Sequence, residues 1–164
     1  MNYDATTGTT LARQIARGER SAIEVLEDTL GCIAATDGRV NAFTSKTVAR
    51  ARAEAAAVDV RRMHGEVLPA LAGVPFAVKN LFDISGEVTL AGSIVNKGHE
   101  PAKEDAFLVQ RMRAAGAVLV GALNMDEYAY GFTTENSHYG PRPKRHDLTG
   151  LAARASCGSR APGA

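Results

Sequence analysis

The chain has 164 residues and a mass of 17.3 kDa, the size of one ordinary domain with room for a sizeable core. A hydrophobic share of 45% beside 23% charged residues excludes a wholly disordered or collagen-like polymer. Its 19 Lys+Arg against 18 Asp+Glu, a net charge of +1, give it no global electrostatic reason to seek nucleic acid or an anionic membrane.

In chain order, the first predicted element starts at Ser21. With Glu24 three residues on, Ser21 forms a capping box, and Ile23, Leu26, Leu30 and Ile33 follow at helical spacing towards Asp37-Gly38. A short strand over Asn41–Thr44 leads to a second helix from about Ser45 to Met63, closed by Gly65, with Val48, Ala51, Ala55 and Val58 on one face. Gly73–Lys79 is a short apolar run with turn residues before it and one charge at its end. A third helix spans Asp105–Ala115 and stops at Gly116. Ala117–Val120 reads as a strand covered on both faces, because four apolar residues follow one another without alternation. Helix, strand, helix, strand in this order predicts an α/β layer structure.

The composition then changes. Residues 1–140 carry a net charge of −3 and Pro141–Ala164 carry +4, with three prolines and no regular apolar period. Residues 1–149 are expected to form the folded portion and 150–164 an aberrant, disordered tail. No apolar run reaches the roughly 18 residues that a membrane-spanning helix needs. Met1–Thr10 has neither a basic start nor an apolar stretch, so the cytoplasm is the expected compartment. Cys32 and Cys157 make no disulfide framework, and neither they nor His64, His99, His138 and His146 show metal-ligand spacing.

Lys79 is the most informative residue. Phe76-Ala77-Val78 precede it and Asn80-Leu81-Phe82 follow, so it sits in an apolar stretch that strips hydration from its amine. A neutral amine can take a proton from a hydroxyl or attack a carbonyl. The competing reading is a lysine whose stem packs on the strand while its ammonium reaches solvent. The second constellation runs from Gly121 to Asn136, directly after a buried strand, where open α/β sheets place their binding crevices. There Asp126 and Glu127 are placed to cap a short helix, and Thr133, Thr134 and Asn136 offer donors to a polar substrate. The competing reading is a surface helix followed by a polar loop.

Gly73-Val74-Pro75-Phe76-Ala77-Val78-Lys79-Asn80 resembles the lysine motif of the amidase signature family. Asn124-Met125-Asp126-Glu127-Tyr128-Ala129-Tyr130-Gly131, continuing through Thr133-Thr134-Glu135-Asn136 to Tyr139-Gly140-Pro141, resembles its next block. Within the family the likeness is close to the amidotransferase A-subunit branch. It is closer still to the biuret-type amidohydrolase branch, down to Ala42-Phe43-Thr44 and Leu90-Ala91-Gly92-Ser93. The resemblance covers roughly residues 10–149. It implies the N-terminal part of a mixed-sheet α/β/α fold and hydrolysis of amide C–N bonds in small amide or urea-like substrates. The implied machinery is a Ser–cis-Ser–Lys triad, with no metal or organic cofactor. Lys79 corresponds to the catalytic lysine, and Met125, Tyr130, Gly131 and Thr133 to pocket wall. Asp126 and Glu127 are expected to serve structure.

After His146-Asp147-Leu148-Thr149 the sequence departs from the family, which has a glycine- and serine-rich stretch there. Ala155 stands at the position of the cis-serine, and Arg154 and Cys157 replace glycines of a backbone path that suits residues without a Cβ. Ser156 matches the second serine of the pair, and the family's nucleophile block comes later. The chain is therefore expected to be a truncated and inactive form, its tail read in a shifted frame or its reading frame cut short. The nucleotide sequence past the stop codon tests this. A small partner subunit or a homo-oligomer is the expected company for such a piece, with no membrane and no direct nucleic-acid contact. Two alternatives stay open, a catalytically dead binding or assembly fragment and an amidotransferase A-subunit-like fragment.

Overall fold

The computed structural model describes residues 7–131 and 135–141. It opens on a helix that no capping box or long apolar period announces. Helix α1 (Gly8–Ala16) begins where the Thr7 hydroxyl accepts the Thr10 N–H at 3.2 Å, and it buries only Ala12 and Ile15. Helix α2 (Ala22–Val40) carries the predicted capping box: Glu24 N–H donates to Ser21 Oγ at 3.0 Å and Ser21 N–H to Glu24 Oε2 at 2.7 Å. A second anion helps at the same end, where the Asp59 carboxylate accepts the N–H groups of Ala22 and Ile23 at 2.8 and 3.1 Å. The helix runs past Asp37-Gly38 to Val40 and ends on Asn41 in the left-handed region (φ 48°). Asp37 instead turns back to accept the N–H groups of Ala42 and Phe43, so its role is to start the next strand.

That strand, β1 (Phe43–Lys46), begins two residues later than the sequence predicts, and α3 (Val48–Met63) starts correspondingly later than Ser45. The strand β2 (Pro75–Lys79), helix α4 (Phe107–Ala114) and strand β3 (Val118–Leu123) follow, and residues 135–141 add a small hairpin, β4 (Glu135–Asn136) with β5 (Gly140–Pro141). The predicted Ala117–Val120 strand is thus longer, and every residue of β3 is buried. The expected α4 boundaries, Asp105–Ala115, draw in by a residue or two because Asp105 is engaged in an ion cluster ahead of the helix.

The sheet is three-stranded and mixed, in the order β1-β3-β2, with β1 antiparallel and β2 parallel to β3. Both pairings slip in register, β1 against β3 at Thr44 and β2 against β3 at Val120, next to Gly121, where a Cβ would lie 2.3 Å from the Ser45 carbonyl oxygen. Only glycine fits that crossing. Val118 and Val120 face α1, α2 and α3 in a core with Ile15, Val25, Leu26, Ile33, Ala51, Ala55 and Val58. Leu119 and Ala122 face the other way, onto Ile84 and Val109 of the α4 layer, with Phe76 and Val78 packed against them. Helices therefore cover both faces of the sheet, the three-layer α/β arrangement the sequence implies.

A buried ion cluster pins the two layers together. Arg50 makes a two-pronged bond to Asp105, both contacts at 2.7 Å, and bonds Glu54 at 2.9 Å. Arg113 reaches the same two carboxylates at 2.9 Å each. Asp105 also accepts Ser85 N–H, and Glu54 accepts Leu119 N–H of β3, both at 2.9 Å. Asp105 is 5% exposed, and the Arg50 guanidinium beside it holds its carboxyl down to about 2 against burial. Among the described residues no helix is long and apolar enough to cross a membrane.

Candidate functional site

The parallel strands β2 and β3 end together. Lys79 is paired with Leu123, and the ladder runs one residue further, with Asn80 N–H donating to Leu123 O at 3.1 Å. Lys79 therefore stands beside the point where β3 gives way to Asn124-Met125, at the carboxyl end of the sheet. Ala77 packs towards the α2–α3 core and Val78 towards the α4 layer. Alternation along the strand then puts Lys79 on the side of Ala77 and Asn80 on the side of Val78. The strand is not the deeply buried one that an uninterrupted apolar run suggests. All five residues of β2 are half-buried, because among the described residues β2 is an edge strand. No carboxylate or hydrogen-bond acceptor among the described residues pairs with the Lys79 amine.

Three buried asparagines shape the segment after β3. Asn124 is fully buried, accepts the Met125 N–H at 2.9 Å and donates to the carbonyls of Asn41 and Gly140 at 3.3 and 3.2 Å. Asn136 donates to Gly92 O at 2.5 Å and to Met125 O at 3.0 Å, and its Oδ1 accepts the N–H groups of His138 and Tyr139. Its amide donors are thus committed to backbone carbonyls, which corrects the expectation that they serve a substrate. Asn80 binds the Leu90–Ala91 turn through its Oδ1 at 2.8 and 3.0 Å. Gly92 (φ 72°) lets that turn approach closely: a Cβ there would lie 2.8 Å from Asp126 O and 3.0 Å from the Asn136 amide.

Beside these asparagines opens a cleft of about 620 Å³, lined by Asp126, Glu127, Tyr128, Tyr130, Gly131, Asn136 and Ser137. Asp126 is buried at the start of a one-turn 3-10 helix, Glu127–Ala129, but its side chain makes no capping bond to that turn. Glu127 accepts the Ser93 hydroxyl at 2.5 Å, which gives it the structural role expected. Tyr128 and Ala129 hold left-handed backbone (φ 50° and 58°), as does Ala91 (φ 49°), whose carbonyl accepts Tyr128 N–H at 2.8 Å. Such conformations cost about 1 kcal/mol or more each, so this rim persists through the bonds around it.

Of the sequence-derived pocket residues, Tyr130 is 93% exposed at the rim and Gly131 lines the cleft, whereas Met125 is 1% exposed and packed inside. Thr133 lies outside the described residues, together with Thr134, His146, Arg154, Ala155, Ser156, Cys157 and the tail from 150 to 164. Lys79 is not among the residues that line the cleft. No group of three or more His, Cys, Asp or Glu among the described residues is placed to hold a metal ion. Cys32 is exposed and unpaired with another cysteine. Sequence reasoning missed the framing work of Asn80, Asn124 and Ser93. The available signal was a short polar side chain directly after each of two strands, a common place for bonds to neighbouring backbone.

Likeness to known proteins falls on the same stretch. The family model described as Amidase matches residues 24–159. The AtzE subunit of 1-carboxybiuret hydrolase from Pseudomonas sp. (strain ADP) is 63% identical over 147 residues, covering 90% of this chain and 32% of that protein. The A-subunit of glutamyl-tRNA(Gln) amidotransferase from Anaeromyxobacter dehalogenans (strain 2CP-C) is 47% identical over 141 residues, covering 86% of this chain and 28% of that one. The chain therefore spans about a third of the length of these curated relatives. Among solved structures, a chain of a vestigial protein complex that reveals the evolutionary origins of an s-triazine catabolic enzyme superposes with a TM-score of 0.88 at 62% identity, over 90% of this chain and 32% of that one. A bacterial aryl acylamidase of the amidase signature family superposes with a TM-score of 0.86 at 30% identity, over 93% and 32%.

Proposed function

The chain belongs to the amidase family, and on that premise we propose that it carries the lysine arm of a hydrolase of amide C–N bonds. In this reading Lys79 draws a proton through a serine held in a cis peptide, that serine activates a nucleophilic serine, and backbone N–H groups stabilise the resulting oxyanion; the C–N bond then breaks as the leaving nitrogen takes up that proton, and water releases the acyl group. The substrate class is a small amide or urea-like molecule, as the name of the Pseudomonas relative suggests. Met125, Tyr130, Gly131 and Thr133 belong to the surroundings of that substrate, Met125 from beneath and Tyr130 and Gly131 from the rim. The strongest support for the reading is the pairing of Lys79 with Leu123, which brings the two family motifs side by side. The 164 residues taken alone are proposed to be inactive, because Ala155 at the cis-serine position has no hydroxyl to relay a proton. No cofactor enters this chemistry, and the cytoplasm is its proposed setting.

A chimaera tests this directly. Residues 1–149 joined to the C-terminal two thirds of the Pseudomonas relative are expected to release ammonia from biuret-like amides, and Lys79→Ala is expected to lower kcat by about 10²- to 10⁴-fold. The 164-residue chain alone is expected to release none above background. Hydrolysis that survives Lys79→Ala overturns the role of the lysine. Hydrolysis by the short chain that Lys79→Ala abolishes overturns only its proposed inactivity. A second reading is an assembly fragment that binds a small partner protein. It draws on the name of the Pseudomonas relative, which is one component of a hydrolase, and on the structural neighbour being a complex. A copurifying small protein together with no hydrolysis by the chimaera favours it.

A further inference from the structure

Asn80 follows Lys79 and is 3% exposed. Its backbone N–H holds Leu123 O at 3.1 Å and its carbonyl accepts Ala91 N–H at 2.8 Å. Its side chain accepts Leu90 N–H at 2.8 Å and Ala91 N–H at 3.0 Å and donates to Thr44 Oγ1 of β1 at 2.5 Å. The backbone of this residue thus ties the carboxyl end of β2 to β3, and its side-chain amide ties it to β1 and to the 90–91 turn. From that turn the bonding continues to the cleft: Ala91 O accepts Tyr128 N–H, Gly92 O accepts Asn136 Nδ2, and Ser93 Oγ donates to Glu127. The side chain that begins this route lies on the face opposite Lys79, so it anchors the lysine's backbone without touching its amine.

We propose that Asn80 is a positioning residue, which sets Lys79 in fixed relation to the cleft by locking the 90–93 turn onto the end of β2; the proposal rests on the catalytic reading of Lys79. The chemistry of the position explains the residue type. Two N–H donors and one hydroxyl acceptor converge there, and an amide is the side chain that accepts from the first and donates to the second. An apolar residue of similar size leaves Leu90 N–H without its acceptor in a partly buried place. Aspartate keeps the acceptor, and the Thr44 hydroxyl, now donating to Ala122 O at 3.3 Å, can turn its proton to the carboxylate.

The test uses the chain itself, labelled with ¹³C-lysine, and two readouts at Lys79. One is its ¹³Cε–¹Hε NMR signal, and the other is its rate of modification by trinitrobenzenesulfonate, followed by peptide mass spectrometry. Asn80→Leu is expected to move the signal and to change the rate at least about threefold, the equilibrium change that loss of one net hydrogen bond produces. Asn80→Asp is expected to restore both, within about twofold in rate, since the acceptor returns. Val109→Ala, which weakens the core on the same face of the sheet, is expected to lower stability while leaving Lys79 as in the wild type. If Asn80→Leu lowers stability but leaves both readouts unchanged, or if Val109→Ala moves them equally, Asn80 is structural alone and the proposal falls. Should Asn80→Leu fail to fold, Thr44→Val removes one bond of the set; a smaller shift in the same direction sustains the proposal, and no shift overturns it. None of these readouts needs turnover, so a chimaera without Lys79-dependent hydrolysis refutes the catalytic reading separately.

Discussion

Replacing Asp105 with asparagine removes one charge from the centre of the ion cluster while keeping the side chain's shape. In the wild type the carboxylate is held at about 2 against an ordinary 3.8, with the two-pronged Arg50 bond as the main cause. At about 1.4 kcal/mol per pH unit, that difference makes ionised Asp105 worth about 2 kcal/mol of folding stability. Because the folded value is the lower one, this stability is fully present above pH 3.8 and is lost as pH falls towards 2. At pH 7 the cost of Asp105→Asn is larger, about 3–5 kcal/mol, because Arg50 is largely buried and both arginines are left to share Glu54. Arg113 is half exposed and water screens part of its loss, so the lower end of that range is expected. Urea unfolding followed by circular dichroism at pH 7, 5, 3 and 2 measures both effects. The gap between wild type and variant is expected to be about 3 kcal/mol at pH 7 and pH 5 and to narrow by about 2 kcal/mol on reaching pH 2. A gap below about 1 kcal/mol at neutral pH, or one that stays constant down to pH 2, refutes the reasoning.

Ser21→Ala removes one half of the capping box of α2, and a loss of about 1 kcal/mol in the same urea assay is expected, with Glu24→Ala lowering stability in the same direction. Gly121→Ala forces a methyl to within 2.3 Å of the Ser45 carbonyl, so about 1–3 kcal/mol should be lost, and hydrogen exchange should speed up at β1 and β3 together. Lys79→Ala is expected to change unfolding free energy by no more than about 0.5 kcal/mol, since no partner among the described residues depends on its amine. A larger loss would mark the lysine as a structural residue.

The elements read best from the sequence are those whose signal is local. Ser21 and Glu24 announce α2 because the capping box closes within one turn, and the run of apolar residues at β3 announces itself because both faces of a central strand are buried. Boundaries slip where a distant partner decides them. Asp37 stays within α2 and turns its carboxylate to the N–H groups of Ala42 and Phe43, while Asp105 stands ahead of α4 and binds Arg50. Helix α1 is illegible because so little of it is buried. At the candidate site the pattern is the same. The apolar setting of Lys79 is visible in its neighbours, but its half-exposure depends on where β2 sits in the sheet, and strand order is not written in any one segment.

The asparagines carry that argument furthest. An amide in a polar run that follows a buried strand looks in sequence like a group offered to a ligand, and Asn136, between Glu135 and Ser137, reads that way. In the fold its two donors are used on Gly92 O and Met125 O, 44 and 11 residues away in sequence. Segments such as 90–93 and 135–141 have little regular structure of their own, so their buried carbonyls and N–H groups must find partners outside helices and strands. Asn80, Asn124 and Asn136 supply those partners, across separations of 10, 16 and 44 residues. A residue that stabilises by bonding backbone at a distance leaves no period and no spacing to detect. Where a polar side chain follows a buried strand directly, the first question to settle is therefore which backbone it satisfies, and only donors left over after that count belong to a substrate.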